Sequence, residues 1–98
     1  MDNTIKLLPI SWYTAEEYDA AISIMADRDN LPRSYDAWLK KAIHTEQQAI
    51  ASGYAVQRVI INPKEFSRWC HDRGLDINAE ARGRYITEVA INSKSGNR

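Results

Sequence analysis

The chain predicts a mainly helical α+β domain whose elements run β-α-α-β-α-α around a minimal two-stranded sheet. Three observations carry this. The segment Tyr54-Ala55-Val56-Gln57-Arg58-Val59-Ile60-Ile61 is rich in β-branched residues and is closed by Asn62-Pro63, as a strand would be. Elsewhere the apolar residues recur at helical spacing. Helix-start residues precede each recurrence: Thr14 with Glu17, Ser34, Asn62 with Pro63 and Glu65, and Asn78. A lone strand is not stable in water, so residues 55–61 must pair either with residues 5–12 of the same chain or with a second copy, as a ribbon across a dimer.

The first element, Ile5 to Trp12, is apolar and extended. Pro9 lacks a donor for a strand ladder, which confines this segment to an edge or breaks it. Thr14 and Glu17 form a capping-box pair with Tyr13 and Tyr18 at the staple positions, and predict a first helix over 15–26. Its stripe is Tyr18, Ile22 and Met25, with Ala21 beside them. Asp27 to Pro32 supplies turn formers and a proline. Ser34 then caps a long helix over 35–52, with Asp36 in its first turn. Trp38, Leu39, Ala42, Ile43, Ala49 and Ile50 should face the core, leaving Lys40, Lys41, Gln47 and Gln48 to solvent. Gly53 stands where a left-handed residue ends a helix.

After the strand, Asn62 as cap, Pro63 at the first helical position and Glu65 two residues on specify a sharp turn into a helix over 63–73. Ile61 and Phe66 form its staple, Phe66, Trp69 and Cys70 share its inner face, and Gly74 ends it with Leu75 folding back. Asn78 caps the last helix, over 79–92, with Tyr85, Ile86 and Val89 inward. Ala79 and Gly83 lie one turn apart and would let another backbone come close. Residues 1–92 are therefore read as one domain, and 93–98 as a polar tail that frays.

Composition narrows the function. A chain of 98 residues has room for one core, and its single cysteine cannot form an internal disulfide. The start Met1-Asp2-Asn3-Thr4 carries neither the basic residue nor the apolar stretch of a secretory signal. Apolar runs such as Val59-Ile60-Ile61 fall far short of the roughly 18 residues that span a bilayer. A cytoplasmic protein without membrane contact is expected. Thirteen basic and thirteen acidic residues cancel, which speaks against general polyanion binding. The cancellation is uneven, however: residues 1–55 carry five Lys/Arg against eight Asp/Glu, and residues 56–98 carry eight against five. Either the halves neutralise each other, or the second half turns a basic face to an anionic partner.

Chemistry-bearing residues are few. Trp69-Cys70-His71-Asp72 holds a nucleophile, a base and an acid in sequence, but neighbours on a helix point about 100° apart, so Cys70 and His71 cannot pair. Cys70 belongs with the apolar face, and His71 with solvent. His44 lies beside Thr45 and Glu46 on the second helix. Two histidines and one cysteine without ligand spacing do not make a metal site, and no phosphate-cradling glycine motif or nucleophile elbow occurs; no cofactor is implied. Three tryptophans and five tyrosines are read first as core material, with a partner surface as the alternative.

From Val56 onward the chain resembles the ribbon-helix-helix family of dimeric DNA-binding regulators over about 40 residues. The likeness rests on the strand, on Phe66, Trp69, Cys70, Arg73 and Gly74 at the spacing of that family's first helix and its terminal glycine, and on Asn78 at the cap of the second. It implies paired antiparallel strands, with Gln57 or Arg58 as base readers and Asn78 with the helix end holding a phosphate. Asp27 through Trp38 and Pro63 through Gly74 also resemble small bacterial proteins of uncharacterised function.

The leading functional expectation is a non-catalytic cytosolic accessory or regulatory module, monomer or homodimer, that binds a protein or small-molecule partner through its basic second half. Its candidate contact residues are Arg58, Lys64, Arg68, Arg82 and Arg84. The alternatives are the dimeric DNA-binding regulator, and a small enzyme using His44 or His71 with a carboxylate in hydrogen-bond reach.

Overall fold

Strands β1 (Lys6–Trp12) and β2 (Tyr54–Ile60) pair with Lys6 beside Tyr54 and Trp12 beside Ile60 in a computed structural model that describes residues 6–95. Of the two pairings open to the second strand, the intramolecular one is formed, and it is parallel rather than an antiparallel ribbon. Parallel neighbours need a crossover, which the two intervening helices provide. Ile5, counted with the first strand on sequence grounds, lies outside the described residues. The Ile61 N–H donates to the Trp12 carbonyl at 2.9 Å, so Trp12 and every second residue before it turn their backbone groups toward β2. Leu7, Pro9 and Ser11 consequently turn theirs outward. Pro9 occupies a position where a missing N–H removes no ladder bond, and β1 runs through it unbroken.

Helix α1 corrects the expected span of 15–26, for it covers only Tyr18–Ser23. The Thr14 hydroxyl does accept from the Glu17 N–H at 3.3 Å, but residues 15–17 form a turn instead of a first helical turn. At the other end the Met25 N–H bonds the Ile22 carbonyl, and the Ala26 N–H leaves the helix altogether for the carbonyl of Ile77, at 2.6 Å. Met25 is thereby fully buried. Tertiary bonds take the last residues away from a helix that local signals alone would have continued. A 3₁₀ turn over Arg28–Asn30 follows.

Helix α2 (Tyr35–Ala51) begins as expected, with the Ser34 hydroxyl accepting from the Ala37 N–H at 3.1 Å. Its inner face differs. Ile43 and Ile50 are 37% and 56% exposed, while Tyr35, Trp38, Leu39, Ala42, Glu46 and Ala49 are half-buried. Trp38 packing edge-on to Trp12 and Glu46 bonding Arg58 set this rotation. Gly53, at φ +98°, supplies the left-handed step into β2.

Helices α3 (Pro63–Arg73) and α4 (Ala79–Ser95) start at the forecast caps: Asn62 Oδ1 accepts from the Glu65 N–H and Asn78 Oδ1 from the Ala81 N–H, each at 3.0 Å. Gly74, at φ +66°, ends α3, and the Leu75 N–H returns to the Cys70 carbonyl at 2.9 Å. Helix α4 continues to Ser95, past the expected end at residue 92, and residues 96–98 of the expected tail lie outside the described residues. Gly83 is not a site of close approach: a Cβ built there meets nothing within 4 Å.

The sheet is packed on both faces. Trp12 and Arg58 lie on the face toward α2, and the alternate residues Val59 and Ile61 enter a core shared with Tyr18, Met25, Phe66, Cys70, Tyr85 and Ile86. Trp12, Tyr13, Tyr18, Tyr35 and Trp38 form a chain of edge-on and tilted rings 5.1–6.0 Å apart, and Phe66, Trp69 and Tyr85 form a second cluster. No described helix is long and apolar enough to cross a membrane.

Candidate functional site

The rotation of α3 determines which of its side chains are free. Phe66 and Cys70, both fully buried, pin one face to the core, and burial pushes the Cys70 thiol pKa up, so this cysteine stays a protonated core residue. A second face is held by α4. The Trp69 indole N–H and an Arg73 N–H both donate to Glu88 Oε2 at 3.1 Å, and the Arg73 guanidinium lies 4.3 Å above the Trp69 ring. The free side of the helix carries a stripe at i, i+3, i+4 and i+7, Lys64, Ser67, Arg68 and His71, bordered by the exposed carboxylates of Glu65 and Asp72.

This stripe forms one wall of a groove of about 890 Å³ whose other wall is Glu17, Ala20, Ser23 and Ile24 of α1 and its flanks. Asn62 and Pro63, at the start of α3, also line it. The volume lies at the upper end of what small-ligand sites use, but the groove is open to solvent and not an enclosed cavity. Such a shape suits a chain segment better than a compact molecule. Lys64 and Arg68 make no ion pair among the described residues, whereas His71 approaches only the neighbouring Asp72, at 3.9 Å, with both side chains largely in solvent.

Two of the other basic residues singled out from the sequence are engaged inside the molecule. Arg82 grips Asp27 through two bonds of 2.8 and 2.9 Å and also points Nη1 at Met25 Sδ, 3.3 Å away. Its side chain is 12% exposed and that of Asp27 22%. The guanidinium hydrogen bonds hold the Asp27 carboxyl below the usual carboxylate range. Arg58 grips Glu46 at 2.7 and 2.8 Å and lies 3.8 Å above the Trp12 ring, and its hydrogen bonds lower the Glu46 pKa in the same way. Both pairs join the acidic first half of the chain to the basic second half, so part of the uneven charge is neutralised internally. Arg84 is exposed on α4, beside Asp76 and Glu80 and away from Lys64 and Arg68.

The sequence reading missed that Ser67 and His71 complete a single stripe with Lys64 and Arg68. Their i, i+3, i+4, i+7 spacing was the available signal; the wall from α1 had none, because it depends on how α1 docks. His44 is exposed on α2, and its imidazole makes no hydrogen bond or ion pair among the described residues. Gln57 is half-buried beside Pro9, and Asn78 is committed to its cap. Among the described residues no three His, Cys, Asp or Glu side chains gather as metal ligands. No family model matches the chain, and neither a curated protein nor a solved structure matches it.

Proposed function

We propose that the protein is a non-catalytic cytosolic accessory or regulatory module that binds an acidic, partly apolar segment of a partner protein in the α1–α3 groove. The observation that carries this reading is the sorting of the basic side chains. Arg58 and Arg82 are consumed by internal carboxylates, while Lys64 and Arg68 make no ion pair among the described residues and stand with His71 along a strip that includes Ala20, Ile24 and Pro63, with the Glu17 carboxylate on the facing wall. Apolar contact would supply most of the affinity, and the cationic rim would steer encounter and set the polarity of the bound segment. A cytosolic setting suits a chain whose one cysteine is buried as a free thiol.

The test is a ¹⁵N-resolved NMR titration with a synthetic peptide of alternating leucine and glutamate. Shifts should cluster at Ala20, Ser23, Ile24, Ser67, Arg68 and His71. Lys64→Glu with Arg68→Glu should weaken binding about tenfold, from two exposed charge contacts of up to about 1 kcal/mol each, whereas Arg84→Glu should leave it unchanged. Shifts scattered over the surface, or indifferent to the double charge reversal, would overturn the reading. A short DNA duplex serves as the second probe, and shifts at Gln57 and Asn78 in place of the groove would move the assignment to the DNA-binding regulator.

A further inference from the structure

The two outer edges of the sheet are not equivalent. On β1 the outward positions are Leu7, Pro9 and Ser11, and the proline interrupts the row of donors that an added strand would need. On β2 the outward positions are Tyr54, Val56, Arg58 and Ile60, because Ile61 and its alternates face β1. Among the described residues, no hydrogen bond from another element reaches the backbone of these four residues. The edge is also the more apolar one. Tyr54 and Ile60 are 38% and 47% exposed, and both project from the same face of the sheet. Arg58, the charge that could guard this edge, is folded back onto Glu46 and Trp12.

We propose that the outer edge of β2 pairs antiparallel with β2 of a second copy, across a two-fold axis at Gln57, giving a four-stranded sheet. This occupant is chosen by self-complementarity. With the axis at Gln57, Tyr54 falls opposite the partner's Ile60 and Val56 opposite the partner's Arg58, and every outward residue donates one hydrogen bond and accepts one. The two exposed apolar side chains then cover each other as an aromatic and β-branched pair, a favoured cross-strand combination. Moving the axis by one residue to Arg58 would set two guanidinium-bearing residues directly opposite and leave Tyr54 without a partner.

An edge of this length is small beside the roughly 1,200–2,000 Å² of a standard interface, so the dissociation constant should be on the order of 10 µM. Sedimentation equilibrium of the full chain between about 1 and 500 µM should show the mass rising from 11.2 kDa to twice that value. Tyr54→Lys and Ile60→Glu should each raise the dissociation constant at least tenfold while the far-UV circular dichroism stays unchanged, since both side chains are exposed in the single copy. Mixing the two variants should restore the dimer, because the register sets the new lysine against the new glutamate. A chain that remains a monomer throughout, whether or not the edge accepts a strand of some other protein, overturns the proposal. So does a dimer that either variant leaves intact, or one that mixing fails to restore.

Discussion

Arg82 offers the sharpest test of how this fold is held. Its guanidinium crosses from α4 to the turn after α1, and it closes two bonds of 2.8 and 2.9 Å on Asp27. With side chains only 12% and 22% exposed, neither charge can be fully rehydrated if the other is removed. Charged hydrogen bonds contribute about 1.5–3 kcal/mol, and an uncompensated buried charge costs about 3–5; partial exposure places Arg82→Ala at about 2–3 kcal/mol. With an m-value of about 1 kcal/mol/M in urea, tryptophan fluorescence should place the unfolding midpoint roughly 2 M lower. Asp27→Ala should cost a similar amount, and the double variant less than the sum, leaving a coupling of about 1.5 kcal/mol. The pH dependence has a definite sign. Asp27 has a folded pKa below its ordinary 3.8, so its contribution is complete above that value and is lost as the pH falls through the lowered one. Coupling within about 0.3 kcal/mol of zero at neutral pH would refute the claim that this pair fastens α4 to the first half. Charge reversal at Arg82 would for the same reason confound any binding experiment with unfolding, which is why the groove is tested through Lys64 and Arg68.

Two glycines should respond in opposite directions although a Cβ at either meets nothing within 4 Å. Gly83→Ala, inside α4, should stabilise by about 1 kcal/mol, and Gly74→Ala, at φ +66°, should destabilise by about 1–2, both read as shifts in thermal midpoint. At alkaline pH the folded chain keeps Tyr13 neutral, its pKa pushed from 10.0 up to about 12 by burial, while the unfolded chain ionises it near 10. Stability should therefore decline as the pH rises from about 10 toward about 12, less steeply in Tyr13→Phe; parallel curves for the two proteins would contradict this.

The sequence alone determined the elements whose boundaries are set by neighbours in the chain. Asn62-Pro63 with Glu65, Gly74 with Leu75, and the caps Ser34 and Asn78 act within four residues, so α3 and the starts of α2 and α4 could be placed before any tertiary contact was known. The uneven charge was legible too, since counting needs no geometry. Tertiary structure decided what depends on distant partners. Helix α1 is short because the Ala26 N–H goes to Ile77 and Met25 enters the core, and no local signal encodes that. The inner face of α2 turned away from Ile43 and Ile50 because Tyr35 and Trp38 pack against the rings of Trp12, Tyr13 and Tyr18, a large apolar contact that leaves Glu46 within reach of Arg58. Most consequential for function, the basic residues were separated into paired and unpaired sets by Asp27 and Glu46, each many positions away in the chain. Charge is a property of composition, but whether a charge is free is a property of what folding brings within about 3 Å of it.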